Sequence, residues 1–235
     1  MQQLSRRQKN NKQKIQKQPY LDIEQAIKIL KETATAKFNE TVEFHVNLNI
    51  DPKYADQQLR TAMTLPNGSG KITKIAVLTN ESNFEEAKKA GVDIVGNDDL
   101  INLISQGNIN FDLLIATPEI MPKLAKLGRI LGPKGLMPSP KSGTVTTTLV
   151  NTILEFKKGK FEYKADKAGV VHVSFGKSNF TEIQLIENLR ALYTSIEQNR
   201  PSGVKGKYFK NLFICSTMGP SIKLDLSVFS ESKSI

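Results

Sequence analysis

The order of apolar and polar residues changes twice along the chain, and the changes divide it into three stretches. Residues 21–35 carry apolar side chains at helical spacing, and residues 42–50 alternate strictly between apolar and polar types. The first stretch therefore predicts a helix, with Asp22 as its cap, followed by a half-buried strand. Even-numbered residues of that strand would face the core, whereas Glu43 and His45 would face solvent. A further strand is expected over residues 59–65.

The middle stretch alternates short apolar segments with helical patterns, which is typical of a parallel α/β module. Residues 97 and 117 are an asparagine and a threonine, and both are expected to cap helices. The predicted strands are residues 72–79, 92–95 and 111–116, and the predicted helices are residues 84–90, 98–106, a helix from residue 117, and residues 147–158.

After Gly159 the alternating pattern returns. Residues 161–165 and 170–175 predict a β-hairpin, and Thr181 with Gln184 predicts a capping box for a helix that reaches residue 198. Two strands are expected to follow, at residues 208–216 and 222–228. The tail, residues 230–235, is expected to be disordered.

These changes of pattern predict two domains, which suits a chain of 235 residues. An outer α+β domain is expected from two segments, residues 1–66 and 160–229, and an α/β domain from residues 67–159 is inserted into it. Glycines stand at both crossings, and we interpret them as a two-strand hinge.

The charge of the chain indicates what kind of partner it binds. The net charge is +10, which favours a polyanionic binding partner. Residues 1–18 are rich in Lys, Arg and Gln and contain no acidic residue, so we predict a flexible basic arm that lies along phosphates; a cleaved transit peptide is the alternative. Cys215 is the single cysteine, and its apolar neighbours predict a small core residue. No apolar stretch approaches the roughly 20 residues that span a membrane.

Catalytic and cofactor motifs are weak. The run Asn67 to Lys71 resembles a phosphate-binding loop, but Leu65 and Ile72 stand where the Walker pattern requires glycine and a hydroxyl. His45 and His172 predict either solvated side chains or a shared RNA contact. No spacing indicates a catalytic residue, a metal site or a cofactor. An enzyme that uses the α/β module for a nucleotide remains an alternative, and the missing glycine fingerprint counts against it.

Two loops have an unusual composition. Residues 128–141 contain three glycines and three prolines and carry Arg129, Lys134 and Lys141. They predict an exposed loop that is either a rigid structural element or a phosphate contact. Residues 216–221 combine hydroxyl groups with Gly219, which permits close approach to an RNA backbone; a simple turn between strands is the alternative.

The run IMPKLAKLGRILGPKGLMPSPK, residues 120–141, resembles the signature of the ribosomal protein L-one family, the proteins of the large-subunit lateral stalk. Residues 36–43, 171–177 and 217–220 match the family in the expected order. The runs KETATAKF, DPKYADQQLRT and NRPSGVKG are similar to the cyanobacterial and plastid branch.

The resemblance implies an outer domain of the split β-α-β type and a Rossmann-like three-layer inserted domain. It implies a monomer within the ribosome, in a plastid or a bacterium, with large-subunit RNA, exit-site tRNA and the protein's own messenger RNA as partners. A non-ribosomal RNA-binding factor is the alternative. The implied RNA-binding residues are Lys37, Phe38, Thr41, Glu43, His172, Gly176, Lys177, Ser178, Thr217, Met218 and Gly219. The implied secondary contact is Arg129, Gly132, Lys134, Gly135 and Lys141. For Glu43, direct RNA contact and orientation of Lys37 are both open.

Overall fold

The computed structural model describes residues 5–15 and 22–230, and the side chains of all of these except residues 12, 228 and 230. Its helices are α1 (Arg6–Ile15), α2 (Ile23–Thr33), α3 (Phe84–Lys89), α4 (Asp98–Ser105), α5 (Met121–Ala125), α6 (Gly128–Leu131), α7 (Leu149–Lys157), α8 (Glu182–Gln198) and α9 (Ser227–Ser230). Its strands are β1 (Thr41–Leu48), β2 (Arg60–Thr64), β3 (Ile75–Leu78), β4 (Ile94–Gly96), β5 (Leu113–Ala116), β6 (Lys160–Lys164), β7 (Val170–Lys177), β8 (Phe209–Ser216) and β9 (Ile222–Leu224).

The chain divides into two compact units. Residues up to Gly70 and from Tyr163 onward form the first unit, and Lys71–Glu162 form the second. We propose that these units are the outer and the inserted domain. Gly70, at the first boundary, and Gly159, three residues before the end of the second unit, have φ angles of 68° and 99°, which residues other than glycine rarely adopt.

The first unit is built on a four-stranded antiparallel sheet in the order β7-β1-β8-β9. β1 alternates as predicted, and Val42, Phe44, Val46 and Leu48 are fully buried. The helices α2 and α8 pack against each other, α8 contacts β7, and α2 contacts β8 and β9. Because β1 lies between β7 and β8, the connection β7-α8-β8 is a split β-α-β unit. This confirms the predicted fold class for this part of the chain.

The second unit has a parallel sheet in the order β4-β3-β5, and all of β3 is buried. One core contains side chains of α4, α5 and α6 with Ala76 and Leu78, and another contains side chains of α3 and α7 with Ile75 and Val77. Since β3 contributes alternate residues to the two cores, helices cover both faces of the sheet. The unit is therefore a three-layer α/β fold, as predicted.

Strand pairing around β6 differs from the prediction of a hairpin. The turn forms, because the Asp166 carbonyl accepts from Gly169 N–H at 3.1 Å and Val170 O accepts from Asp166 N–H at 2.9 Å. Beyond the turn only Ala165 and Val171 form a bridge, and β6 pairs with β2 in a separate two-stranded sheet. Alternation predicts that a strand exists but not which strand pairs with it.

The ends of several elements also differ from the prediction. The predicted strand at residues 72–79 begins only at Ile75, and Ile72 is 94% exposed. The final strand ends at Leu224 instead of residue 228, and α9 follows. Ser230 of the predicted disordered tail ends α9, and residues 231–235 lie outside the described residues.

The predicted flexible arm contains a helix, α1. Ser5 Oγ accepts a hydrogen bond from Gln8 N–H at 3.3 Å, and Gln8 Oε1 accepts one from Ser5 N–H at 3.0 Å. This is a capping box, and Lys14 of α1 lies 3.5 Å from Glu32 of α2. The expectation of a flexible arm was therefore wrong for residues 5–15; residues 1–4 and 16–18 lie outside the description.

Predicted helix caps were right in one case of four. Thr181 and Gln184 form both bonds of the capping box at α8. Asp22, Asn97 and Thr117 precede helical segments, but none of their side chains makes a capping bond. Within the described residues, no helix has the length and apolar character needed to cross a membrane.

Asn188 of α8 is a fully buried polar residue that joins three parts of the first unit. Its Oδ1 accepts from Asn67 N–H at 3.0 Å, and its Nδ2 donates to Gly68 O at 3.0 Å and to Phe175 O at 2.8 Å. The Asn188 amide thus supplies hydrogen-bond partners for backbone groups of β7 and of the segment just before the first crossing.

Glu40 is a buried carboxylate with partners far apart in the sequence. Oε1 accepts from Ala36 N–H at 3.0 Å, and Oε2 accepts from Met218 N–H at 2.9 Å. Burial by itself raises the pKa of Glu40, but these two backbone hydrogen bonds and nearby positive charge outweigh it, so the pKa lies below its usual range.

We expect Asn188→Leu to lower the free energy of unfolding by about 2–4 kcal/mol, because buried backbone groups lose their partners. Urea denaturation of the whole chain measures this. Gln198→Leu, an exposed position of the same helix, is the control and should change stability by about 0.5 kcal/mol or less. Equal effects of the two substitutions would contradict the role assigned to Asn188.

We expect Glu40 to make stability depend on pH in the acid range. The lowered pKa means that the unfolded chain binds this proton more readily than the folded one, so the contribution of Glu40 is present at neutral pH and is lost as the pH falls below about 4.3. Glu40→Gln should be less stable at neutral pH and should lose less stability on acidification. Denaturation curves at several pH values test this, with the exposed Glu24→Gln as the control.

Candidate nucleic-acid interface

Three separate chain segments meet at one end of the four-stranded sheet. β1 is antiparallel to both neighbours, so its first residue lies beside the last residues of β7 and β8. The register pairs Thr41 with Lys177 and Val42 with Ser216. We call residues 36–41, 177–178 and 217–219 the strand-end surface. It contains most of the residues for which the family resemblance implies RNA binding.

Thr41 and Thr217 hold this surface together. Thr217 Oγ1 accepts from Thr41 N–H at 3.0 Å, and Thr41 O accepts from Thr217 N–H at 3.1 Å. Lys177 Nζ donates to Thr41 Oγ1 at 2.7 Å. The loop after β8 is therefore fixed relative to β1 by a pair of hydrogen bonds between Thr41 and Thr217.

Glycine and apolar side chains shape the exposed part of the strand-end surface. Gly219 N–H donates to Ser216 O at 3.0 Å, and a Cβ added at Gly219 would overlap Ser216 Oγ. Phe38 is 54% exposed and Met218 is 51% exposed. Phe38 precedes Glu40 by two residues, and Met218 N–H donates to Glu40 Oε2 at 2.9 Å, so both exposed apolar side chains belong to segments that Glu40 connects.

Two lysines give the strand-end surface positive charge. Lys37 is exposed, and Lys177 is half-buried with its ammonium group hydrogen-bonded to Thr41 Oγ1.

Ser178 connects β7 to the segment before β1. Its Oγ donates to Asn39 Oδ1 at 2.9 Å, and its N–H donates to Glu40 O at 2.8 Å.

Gly176 is buried one residue before Lys177. A Cβ at this position would lie 2.7 Å from Leu185 Cδ2. Glycine therefore allows β7 to approach α8 closely, which indicates a packing role.

Glu43 and His172 lie elsewhere, on the solvent side of the sheet together with His45 and Cys215. We call these four residues the open face. Glu43 Oε2 is 3.6 Å from His45 Nε2, and no ion pair joins Glu43 to Lys37 among the described residues. The alternative in which Glu43 orients Lys37 thus receives no support from the described contacts.

Cys215 was predicted to be a core residue, and this was wrong. It is only partly buried, and it alternates with the buried Leu212, Ile214 and Ser216 along β8. Its apolar neighbours hid the alternation, because the run Leu212 to Cys215 contains no polar residue. Position within the strand, rather than residue type, places its thiol beside His45.

Titration of the open face follows from burial. Burial, helped by the charge of His172, lowers the pKa of His45, and the Glu43 carboxylate opposes this. Burial and the Glu43 carboxylate raise the pKa of the Cys215 thiol. Within the described part of the chain, Glu43, His45 and Cys215 are the one group whose donor atoms could hold a metal ion. Sequence spacing indicated no such group, since the donors come from two strands distant in sequence.

The second predicted set lies on the second unit. Arg129, Lys134 and Lys141 are exposed, as are Gly132 and Gly135. The predicted exposed loop starts instead as α6, and its apolar residues, Ile130, Leu131, Leu136 and Met137, pack on the core of the unit. Apolar side chains thus anchor the segment, which leaves its three cations in solvent.

Glu40 is a residue of the strand-end surface that the sequence analysis did not single out. A signal was present: Glu40 has the same parity as Val42 and Phe44, so the alternation of β1 directs it toward the core. A carboxylate in that position requires backbone donors, and Ala36 and Met218 supply them.

Comparison with known proteins gives the family. The model of the "Ribosomal protein L1p/L10e family" matches residues 30–220. The large ribosomal subunit protein uL1c of Trieres chinensis is 76% identical over 229 residues, with 97% of this chain and 100% of the relative covered. The uL1c of Phaeodactylum tricornutum is 73% identical over 230 residues (98% and 100% covered), and the uL1 of Prochlorococcus marinus subsp. pastoris is 55% identical over 231 residues (98% of each). The chain therefore belongs to the ribosomal protein L1 family.

Proposed function

We propose that the protein binds large-subunit ribosomal RNA at the mobile lateral stalk beside the tRNA exit site, and that the strand-end surface grips this RNA. As a member of its family the chain is a structural constituent of the large ribosomal subunit and not an enzyme. It functions on the ribosome, in a plastid stroma or a bacterial cytoplasm.

One observation carries the proposal. The loop that bears Met218 is fixed before any partner arrives, by Glu40 on its backbone and by the Thr41–Thr217 bonds. A preorganised surface loses little conformational entropy on binding, so its contacts convert more fully into affinity. A loop that served only to connect β8 and β9 would not require a buried carboxylate beneath it.

The chemistry of the surface suits folded RNA. Lys37 and Lys177 can neutralise phosphates, and hydroxyl groups such as that of Ser178 can contact the 2′-OH groups by which proteins read RNA. Phe38 and Met218 can lie against exposed sugars or bases. On the open face, His172 extends the contact, and the Glu43 carboxylate would accept from a 2′-OH or a base amine.

The second unit supplies a secondary contact. Arg129, Lys134 and Lys141 are exposed on a segment anchored by its apolar side chains, and Gly132 and Gly135 let the backbone approach closely. These cations fit phosphates of the same RNA or of the exit-site tRNA.

The mechanism that we propose is mechanical. The protein is a monomer within the ribosome, and it moves with the stalk so that deacylated tRNA can leave. The strand-end surface would also bind a stalk-like fold in the protein's own messenger RNA, which would repress its translation.

The direct experiment is binding of the purified full chain to a short transcript of the stalk region, against a scrambled hairpin of equal length at moderate salt. We expect a clear preference for the stalk transcript. Equal weak binding to both would reduce the protein to a general RNA binder. Co-sedimentation with large subunits in moderate salt separates a ribosomal protein from a non-ribosomal RNA-binding factor.

We expect the double substitution Thr217→Val/Met218→Ala to weaken binding of the stalk transcript by about 10-fold or more, since apolar contact and loop anchoring are both lost. Filter binding measures the affinity, and circular dichroism checks that the fold persists. The control is Ile183→Ala/Thr194→Val, which alters an exposed apolar residue and an exposed threonine on α8. Unchanged affinity in the first variant would remove the strand-end surface from the proposal.

Affinity for the stalk transcript should fall steeply as salt rises, because several phosphates are neutralised. Lys37→Gln should reduce the slope of log K against log salt by about 1. Lys28→Gln, an exposed lysine on α2, is the matched control and should leave the slope unchanged. A flat salt response of the unaltered protein would indicate stacking rather than phosphate contact.

A further inference from the structure

The open face contains a compact group, Glu43, His45 and Cys215, of which the proposed RNA contact uses only the Glu43 carboxylate. His45 Nε2 lies 3.1 Å from Cys215 Sγ and 3.6 Å from Glu43 Oε2. The donor atoms of the three residues all lie within 4.8 Å of one another. A thiol, an imidazole and a carboxylate are the three side-chain types that bind zinc in proteins.

The spacing fits one shared metal ion. Zinc bonds of about 2.3 Å to sulfur and about 2.0–2.2 Å to nitrogen or oxygen place neighbouring tetrahedral ligands roughly 3.4–3.6 Å apart. The separations from His45 Nε2 to its two neighbours are close to this range. Small rotations of half-exposed side chains would complete the geometry without any change in β1 or β8.

Contacts with His172, and through it with Asp166, orient the His45 ring. His45 Nδ1 lies 2.8 Å from His172 Nδ1, and His172 Nε2 lies 3.8 Å from Asp166 Oδ2. The Asp166 carboxylate favours a proton on His172 Nε2, which leaves His172 Nδ1 free to accept from His45 Nδ1–H. That arrangement leaves a lone pair on His45 Nε2, the nitrogen that faces Cys215 and Glu43. Metal-binding histidines in proteins are commonly held in this way by an outer partner.

Charge also favours a cation here. Among the described residues, the His45 ring is the one basic side chain within 4.0 Å of the Glu43 carboxylate. Without a metal, the Glu43 carboxylate lies near an imidazole and a thiol, and a cation would balance its charge.

We propose that Glu43, His45 and Cys215 bind one divalent transition-metal ion of the zinc type, with His172 and Asp166 orienting His45 and with a fourth position open to water. Binding replaces the thiol proton of Cys215, which is released to solvent, by a metal–sulfur bond. The ion joins β1 to β8 directly beside the residues that lead into the Thr217 loop. This inference does not depend on the proposed RNA function.

Titration of the metal-free full chain with Co²⁺ tests the proposal, because a cobalt–thiolate bond produces a charge-transfer absorption band. Cys215 is the only cysteine in the chain, so such a band identifies its ligand without ambiguity. We expect a band that saturates at one equivalent and is abolished by Zn²⁺. Zn²⁺ should also raise the melting temperature of the protein.

Variants separate this site from others. Cys215→Ser should lose the band, His45→Gln should weaken Co²⁺ binding strongly, and His172→Gln should weaken it about 10–100-fold. Asp98→Asn alters an exposed carboxylate of the second unit and should change nothing. Circular dichroism shows whether each variant folds; if Cys215→Ser does not, the band of the unaltered chain and its loss in His45→Gln decide.

Two outcomes would overturn the proposal. The first is the absence of a thiolate band in the unaltered chain at saturating Co²⁺. The second is a band that His45→Gln leaves at full strength and unchanged affinity. RNA binding is not measured in either experiment, so failure here leaves the proposed function untouched.

Discussion

The first unit depends on the pairing of β1 with two strands that the chain supplies much later. β7 occupies one edge of β1 and β8 the other, and the even-numbered side chains of β1 are fully buried. Every backbone group of a central strand needs a partner, and no nearby segment offers one. The strand-end surface and the open face both follow from this pairing, since each combines residues of β1 with residues of the strands beside it.

Buried polar side chains then fix details that apolar packing leaves open. Glu40 sets the position of the loop at Met218, and Asn188 sets the position of the segment at Asn67. Apolar contacts tolerate small shifts, whereas a buried carboxylate or amide tolerates only arrangements that satisfy its hydrogen bonds. The exposed Phe38 and Met218 therefore lie on a rigid support although they belong to irregular segments.

The sequence predicted the features that depend on neighbouring residues, such as the buried face of a strand and the start of a helix. Alternation located β1 and its buried face, and the spacing of Thr181 and Gln184 located the start of α8. The partner of β6 and the neighbours of Cys215 could not be predicted, because both are set by pairing between distant strands. The residues of the candidate site came from the family resemblance. Their separation into a strand-end surface and an open face could be seen only in the structure. The capping box of α1 was a readable signal that charge composition obscured.

The discontinuity of the first unit has a consequence for synthesis. During translation at about 5–20 residues per second, β1 leaves the ribosome roughly 10–30 s before β8 is complete. The intervening second unit has its whole sheet within Lys71–Glu162 and can fold in that interval. An apolar strand with both edges unpaired is a template for aggregation. The nascent chain is therefore most exposed to misassembly, and most in need of a chaperone, in the period when its second unit is already native.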